Sequence, residues 1–185
     1  MSRFRIVVCA AAFAGALTAQ PAAAQDHRWS LEGRLGATLP TGDIGDNDET
    51  AGLSGAVDLL YSVSNAASLY GGVRAYRFNC DGPECVDDRN GKGLGAGVKF
   101  VFAREARALP WVRGGVIYDQ AAISGSDSDW APGFEVGAGI DLDLSPRFAL
   151  VPAVRYYGYR AEFAQPEDDA DMRYFVIDLG AHLHF

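Results

Sequence analysis

The sequence is short of cysteine and of basic residues, and it has no long apolar run after residue 24. Its 185 residues contain three Cys, 16 Lys+Arg and 24 Asp+Glu, which give a formal net charge of -8 at pH 7. Nucleic-acid binding depends on clustered cations, so a chain this acidic argues against a nucleic-acid partner. A transmembrane helix needs about 20 consecutive apolar residues. The later sequence therefore predicts no helical membrane span.

The N-terminal residues have the features of a cleavable secretory signal peptide. Arg3 and Arg5 precede an apolar run from Ile6 to Leu17, and three alanines end at Ala24. This order of charged, apolar and small residues is typical of export signals. We expect a signal peptide over residues 1–24 and a mature domain over residues 25–185. Lipidation at Cys9 is the alternative, but that residue lies too early in the sequence.

Two cysteines remain in the expected mature domain. Cys80 and Cys85 enclose a short segment, Asp-Gly-Pro-Glu. In an exported chain an even pair at short spacing predicts a disulfide that closes a small loop. The alternative is that the two cysteines bind a metal ion, but no further Cys and no nearby His could complete a zinc site. We therefore predict a Cys80–Cys85 disulfide, no metal and no cofactor.

The mature sequence alternates apolar and polar residues in eight segments. A β-strand sends successive side chains to opposite faces, so each segment predicts a two-faced strand. Pro152 counts against the seventh strand, because proline removes a ladder hydrogen bond. The predicted strands cover approximately residues Trp29–Leu39, Leu53–Val63, Ser68–Phe78, Gly93–Phe102, Trp111–Asp119, Phe134–Leu144, Phe148–Tyr159 and Arg173–Phe185.

The predicted connections alternate in length. The first, third, fifth and seventh have roughly a dozen residues and many acids, whereas the others are shorter. An even strand count with long outer loops and short inner turns is typical of outer-membrane barrels. Both chain termini would then lie on the periplasmic side. The acidic outer loops are candidates to share divalent cations with lipopolysaccharide phosphates.

The last segment carries a family resemblance. Every second residue from Phe175 to Phe185 is apolar, and the residues between are mostly polar or small. This segment resembles the closing strand of bacterial outer-membrane β-barrels, whose terminal aromatic residue is read by the barrel-assembly machinery. The resemblance implies that Phe185 is an assembly signal. It also implies a location in the bacterial outer membrane, with outer-membrane lipids and lipopolysaccharide as partners.

Alternation alone would also fit a soluble β-sandwich. The signal peptide, the final Phe185 and the many glycines on the polar faces favour a barrel, because a crowded interior needs small residues beside long charged ones. The predicted fold is all-β: an eight-stranded antiparallel up-and-down transmembrane β-barrel, preceded by a cleavable signal peptide. It is similar to the small barrels of the OmpX and OmpA membrane-domain class.

The polar faces of such a barrel point inward. Eight strands enclose only enough space for side chains, and buried charges must be paired. We therefore predict an ion-paired, non-conducting interior. Asp143 lies on the same polar face of its strand as Asp141 and is also expected to point inward. The predicted network contains Glu32, Arg34, Asp58, Arg74, Lys99, Arg113, Glu135, Asp141, Arg155 and Asp178.

The predicted function is a structural or surface-interaction platform, not an enzyme. The alternative is a narrow channel for small solutes or apolar molecules. A lipid A-modifying enzyme is less favoured, because lipid A deacylases use a His and a Ser two residues apart, and neither His182 nor His184 has such a Ser. A metal site built from these two residues and His27 is an outlying alternative.

Overall fold

The computed structural model describes residues 28–41, 49–80, 88–102, 108–123, 126–163 and 170–185. The predicted signal peptide over residues 1–24 lies outside these ranges. Within them, no helix has the length and apolar character required to cross a membrane.

The described residues form nine strands, and every pairing between them is antiparallel. The sixth has two residues and pairs only with the end of the fifth. The strands are β1 (Trp29–Thr41), β2 (Glu49–Ser62), β3 (Ala67–Cys80), β4 (Arg89–Val101), β5 (Ala108–Ile123), β6 (Ser126–Asp127), β7 (Ala131–Ser145), β8 (Phe148–Ala161) and β9 (Ala170–His184).

The eight longer strands close into a ring. β1 to β5 pair in sequence order, β5 pairs with β7, and β7, β8 and β9 continue the sheet. β9 then pairs with β1, with Leu31 opposite Leu183, so the sheet has no free edge. The prediction of an eight-stranded antiparallel up-and-down barrel is confirmed. Closure satisfies the backbone hydrogen-bonding groups that an open edge would expose.

The strands are longer than predicted. They have 13 to 16 residues, and the β1–β2 connection covers residues 42–48 rather than the predicted 40–52. Thr50, for example, pairs with Asn79, although its neighbours are typical of a loop. The prediction missed these residues because turn-forming side chains at a barrel rim still have a neighbouring strand to pair with.

Pro152 lies inside β8, which forms in spite of the proline, and the expected interruption of the ladder is present on one side of the strand. The β7–β8 ladder runs to Gly139 opposite Ala153 and resumes at Leu142 opposite Leu150. The proline therefore coincides with a local gap in the ladder, while β8 continues on both sides and keeps its register with β9.

Apolar side chains cover the outer wall, and charged side chains lie inside. Leu35, Leu53 and Val116 are 75%, 73% and 69% exposed, whereas Glu32 and Arg155 are 0% and 1% exposed. A soluble sandwich would have the opposite arrangement. The distribution matches a barrel that faces lipid with its outer surface.

The two ends of the barrel differ. At the terminus end, where β1 begins and β9 ends, the connections are residues 63–66, 102–107 and 146–147. At the opposite, loop end, they are residues 42–48, 81–88, 124–130 (which include β6) and 162–169. Aromatic pairs lie on the outer wall near both ends, as membrane-interface residues do. They are Trp29–Tyr61 at the terminus end, and Tyr118–Trp130 and Tyr156–Phe175 at the loop end.

Candidate functional site

The first part of the charged interior is centred on Arg113 of β5. Its Nη1 donates to Asp58 Oδ2 at 2.8 Å, and its Nε and Nη2 donate to Glu135 Oε1 at 2.8 and 2.6 Å. Arg34 of β1 also donates to Asp58. One guanidinium thus joins carboxylates from β2 and β7 across the barrel. Charge-assisted bonds of this kind are stronger than neutral ones.

The second part is centred on Arg155 of β8. Arg155 Nη2 donates to Glu32 Oε1 at 2.7 Å, and Nη1 donates to Asp178. Lys99 Nζ lies 3.6 Å from Glu32 Oε2 and donates to both oxygens of Asp141, at 2.9 and 2.8 Å. Glu32 also lies 3.7 Å from Arg34 Nη1, so the two parts form one network.

The structure places all ten sequence-predicted charges inside the barrel. Each of their side chains is at most 8% exposed. Asp143, which was expected on the same inner face, lies in the wall of a cavity at the terminus end of the barrel, and its side chain is exposed near the end of β7. Asp143 has the same inward parity as the network residues, but it lies so near the terminus end of the barrel that its side chain is exposed.

Sequence reasoning missed Asp119 as a member of the network. It is fully buried, and it accepts bonds from Arg74 Nε at 3.2 Å and Arg74 Nη2 at 2.5 Å. Asp119 shares the inward parity of Arg113 on β5, and that parity was the available signal. The predicted strand ended at Asp119, on the same polar face as Arg113, but the residue was not included in the predicted network.

Tyr70 extends the network through its hydroxyl group, which donates to Glu135. The guanidinium carbon of Arg113 lies 3.9 Å from the centroid of the Tyr70 ring. A cation over an aromatic face is attracted by the ring quadrupole. Tyr70 therefore contacts both members of the Arg113–Glu135 pair.

Interior glycines make room for these groups. A side chain on Gly97 or Gly115 would overlap the Tyr70 hydroxyl group, and one on Gly93 would overlap the carboxylate of Asp119. The sequence predicted that small residues would share the interior with long charged ones, and the structure shows which side chains occupy the space.

An aromatic cluster fills the barrel between the charged network and the loop end. The ring of Tyr174 lies 5.0, 5.2 and 5.1 Å from the rings of Tyr76, Phe78 and Tyr157. All four rings are buried, and Phe163 belongs to the same cluster. The charged residues are thereby covered on the side of the longer connections.

The terminus end contains a cavity of about 210 Å³ with His182 in its wall. His182 Nε2 lies 2.7 Å from Ser30 Oγ. The two residues lie 152 positions apart and meet only because β9 pairs with β1, so their contact was not foreseen. His182 Nδ1 lies 3.8 Å from Asp141 Oδ2, which is too long for a hydrogen bond, and Lys99 holds both oxygens of Asp141. The group is therefore not arranged as a Ser-His-Asp relay.

Among the described residues, no group of three or more His, Cys, Asp or Glu is placed to hold a metal ion. The alternative metal site of His27, His182 and His184 stays a prediction, because His27 lies outside the described ranges. Cys80, at the end of β3, is disulfide-bonded. Cys85 also lies outside these ranges, so the Cys80–Cys85 pairing stays a prediction.

The terminal residue of the chain lies beside the start of β1. Phe185 N donates to Trp29 O at 3.0 Å, and the Phe185 side chain is exposed on the barrel. The acidic connections fall mostly within residues 42–48, 81–87 and 164–169, which lie outside the described ranges. The expected cation contacts there stay predictions.

The sequence matches the model of the outer membrane protein beta-barrel domain over residues 9–185. The chain belongs to this family. A member of this family is a protein of the bacterial outer membrane, and the lipid-facing outer wall agrees with that location. No curated protein sequence matches the chain significantly.

Solved structures show the same fold. Neisserial surface protein A matches with a TM-score of 0.66 and 17% identity, over 85% of this chain and 97% of that chain. OprG from Pseudomonas aeruginosa matches with a TM-score of 0.59 and 12% identity, over 85% and 96%. Ail, the attachment invasion locus protein of Yersinia pestis, matches with a TM-score of 0.50 and 16% identity, over 85% and 96%.

Proposed function

We propose that this family member is a non-conducting outer-membrane barrel that presents its longer connections at the cell surface as an interaction platform. The burial of the charged network carries the proposal. Charges that line an open water channel are exposed to solvent, whereas none of the ten network side chains is more than 8% exposed. An ion-paired interior of this kind presents no continuous aqueous path.

The residues on both sides of the network support the same proposal. Tyr174 and its aromatic neighbours cover the charges toward the loop end. Trp111, 1% exposed, packs with Val151 and Ala153 nearer the terminus end. Lys99 Nζ and the Arg155 guanidinium carbon lie 4.7 and 5.4 Å from the centroid of the Trp111 ring. An eight-stranded barrel has room for side chains in its interior and little else.

A surface role is supported by the positions of the connections. The longer ones all lie at the loop end, which in outer-membrane barrels faces outward. The names of two similar barrels, neisserial surface protein A and the attachment invasion locus protein, refer to the cell surface and to attachment. Their likeness to this chain is one of fold, and it shows that small barrels of this shape occur in such proteins.

The remaining partners follow from the same orientation. Residues 1–24 direct export, and the barrel-assembly machinery reads Phe185. The apolar outer wall contacts outer-membrane lipids and lipopolysaccharide. Acids of the outer connections, such as Asp43 and Asp168, share divalent cations with lipopolysaccharide phosphates.

Two epitope insertions test the display of the longer connections. One tag replaces residues 164–169, between β8 and β9, and the matched control carries the tag in the turn at Asn65, between β2 and β3. On intact cells, antibody should label the first variant and should label the control only after the outer membrane is permeabilised. The proposal would be contradicted if antibody labelled the control, and not the first variant, on intact cells. It would also be contradicted if neither variant were labelled in permeabilised cells that contain the folded barrel.

A further inference from the structure

We propose that the outer wall at the terminus end binds one phospholipid of the periplasmic leaflet, with its acyl chain in a groove and its phosphate beside Arg28. The groove has a volume of about 400 Å³, and its wall includes Trp29, Leu59, Leu69 and Gly71. This site is separate from the charged interior. It rests on the proposed orientation only for the choice of leaflet.

The groove owes its shape to a glycine between large apolar residues. An added Cβ at Gly71 would have only one neighbour within 4 Å, the carbonyl oxygen of Gly95 at 3.8 Å, so the space outside Gly71 is open. Leu59 and Leu69 are both exposed beside it. Contact between an acyl chain and this apolar surface is favourable, and the side chains on either side of Gly71 add packing contacts with the chain.

The end of the groove carries groups suited to a phosphate. The rings of Trp29 and Tyr61 are 4.8 Å apart, and the exposed Arg28 places Nη1 3.5 Å from the Tyr61 hydroxyl oxygen. Tryptophan and tyrosine are enriched at the level of lipid head groups. A guanidinium group binds phosphate oxygens in a bidentate manner. A cation beside an apolar groove is complementary to an amphiphile with an anionic head and an apolar chain.

Fluorescence quenching by brominated lipid can measure the preference at this site. Trp130→Phe removes the exposed tryptophan of the loop end, and Trp111 is buried inside the barrel, so Trp29 reports on lipid. The purified barrel is reconstituted into phosphatidylcholine vesicles that contain increasing amounts of brominated phosphatidylglycerol. We expect a relative binding constant at Trp29 of about five in favour of the anionic lipid, the contribution of one basic residue near a membrane surface. Arg28→Ala should lower this constant to about one.

A pair of glycine variants tests the groove itself. Gly71→Leu places a side chain in the groove and should remove the lipid preference. Gly33→Leu adds the same side chain to the outer wall where an added Cβ meets nothing within 4 Å, and it should leave the preference unchanged. A relative binding constant near one in the Trp130→Phe protein, or equal effects of the two leucine variants, would overturn the inference. Quenching in vesicles depends on neither conductance nor surface display, so its failure would leave the proposed function standing.

Discussion

Arg155 shows, at the scale of the residue, how the interior charges depend on one another. It bonds Glu32 on one side and Asp178 on the other, and it is almost fully buried. Desolvating these groups is costly, and the cost is offset only while each charge keeps a partner. Removal of one partner would therefore leave a buried charge without that compensation.

Replacing Arg155 with alanine should leave two buried carboxylates without their shared partner. We expect a loss of about 3–5 kcal/mol in the free energy of unfolding. The measurement is urea unfolding of the barrel in lipid vesicles, followed by intrinsic fluorescence. Arg173→Ala is the matched control, because Arg173 pairs with Asp171 at the exposed end of β9, and such a pair contributes at most about 1 kcal/mol. Equal losses in the two variants would contradict the network.

Residue parity accounts for what could be predicted at this scale. Alternation along each strand placed ten charges inward, because a shift of one residue would have put them into lipid. It could not reveal which charges pair, since Arg113 contacts residues on β2 and β7 that no local pattern connects. Ser30 beside His182 was missed for the same reason: their contact depends on barrel closure.

At the scale of the element, the packing and the length of each strand depend on the side chains and strands beside it. Glycines on inward positions of β4 and β5 let Tyr70 cross the interior from β3. The sequence predicted eight strands correctly, but it made them too short at the loop end, because rim residues such as Thr50 resemble loop residues and still pair. Strand length is thus fixed by neighbouring strands, which a single segment does not show.

Gly115→Ala tests the packing between β5 and its neighbours. The added Cβ would overlap both the Tyr70 hydroxyl group and the carbonyl oxygen of Ala96, so one of them must move. Overpacking of this kind should cost about 1–3 kcal/mol in the free energy of unfolding. Gly33→Ala on the outer wall of β1 is the control and should cost nothing measurable, since its added Cβ has open space. A stability change in Gly33→Ala as large as that in Gly115→Ala would argue against this packing.

At the scale of the whole molecule, closure and the inverted distribution of polar groups belong together. The ring of eight strands leaves no edge, and its apolar residues face outward. In lipid every backbone polar group must be satisfied within the protein, and a closed barrel achieves this. The fold class could be predicted from alternation, glycine content and the resemblance of the last strand, because each reflects the barrel as a whole.

Closure also predicts a response to detergent. The unheated protein should resist SDS and migrate as a compact band, and heating should convert it to a slower, unfolded band, since no free edge offers a start for local unfolding. Electrophoresis of membrane fractions with and without heating measures this. Recovery of the protein in a detergent-free periplasmic extract would be inconsistent with a membrane barrel.

We propose that ion pairs and aromatic rings close the interior, and single-channel recording in a planar bilayer measures whether ions pass through it. The reconstituted wild-type barrel should show no steady current, because the charges around Arg113 and Arg155 are buried and bonded to one another. The Arg155→Ala variant, recorded in the same way, reports whether these charges line a path for ions. A steady wild-type current whose ion selectivity changes in Arg155→Ala would contradict the closed interior and would identify the protein as a narrow channel.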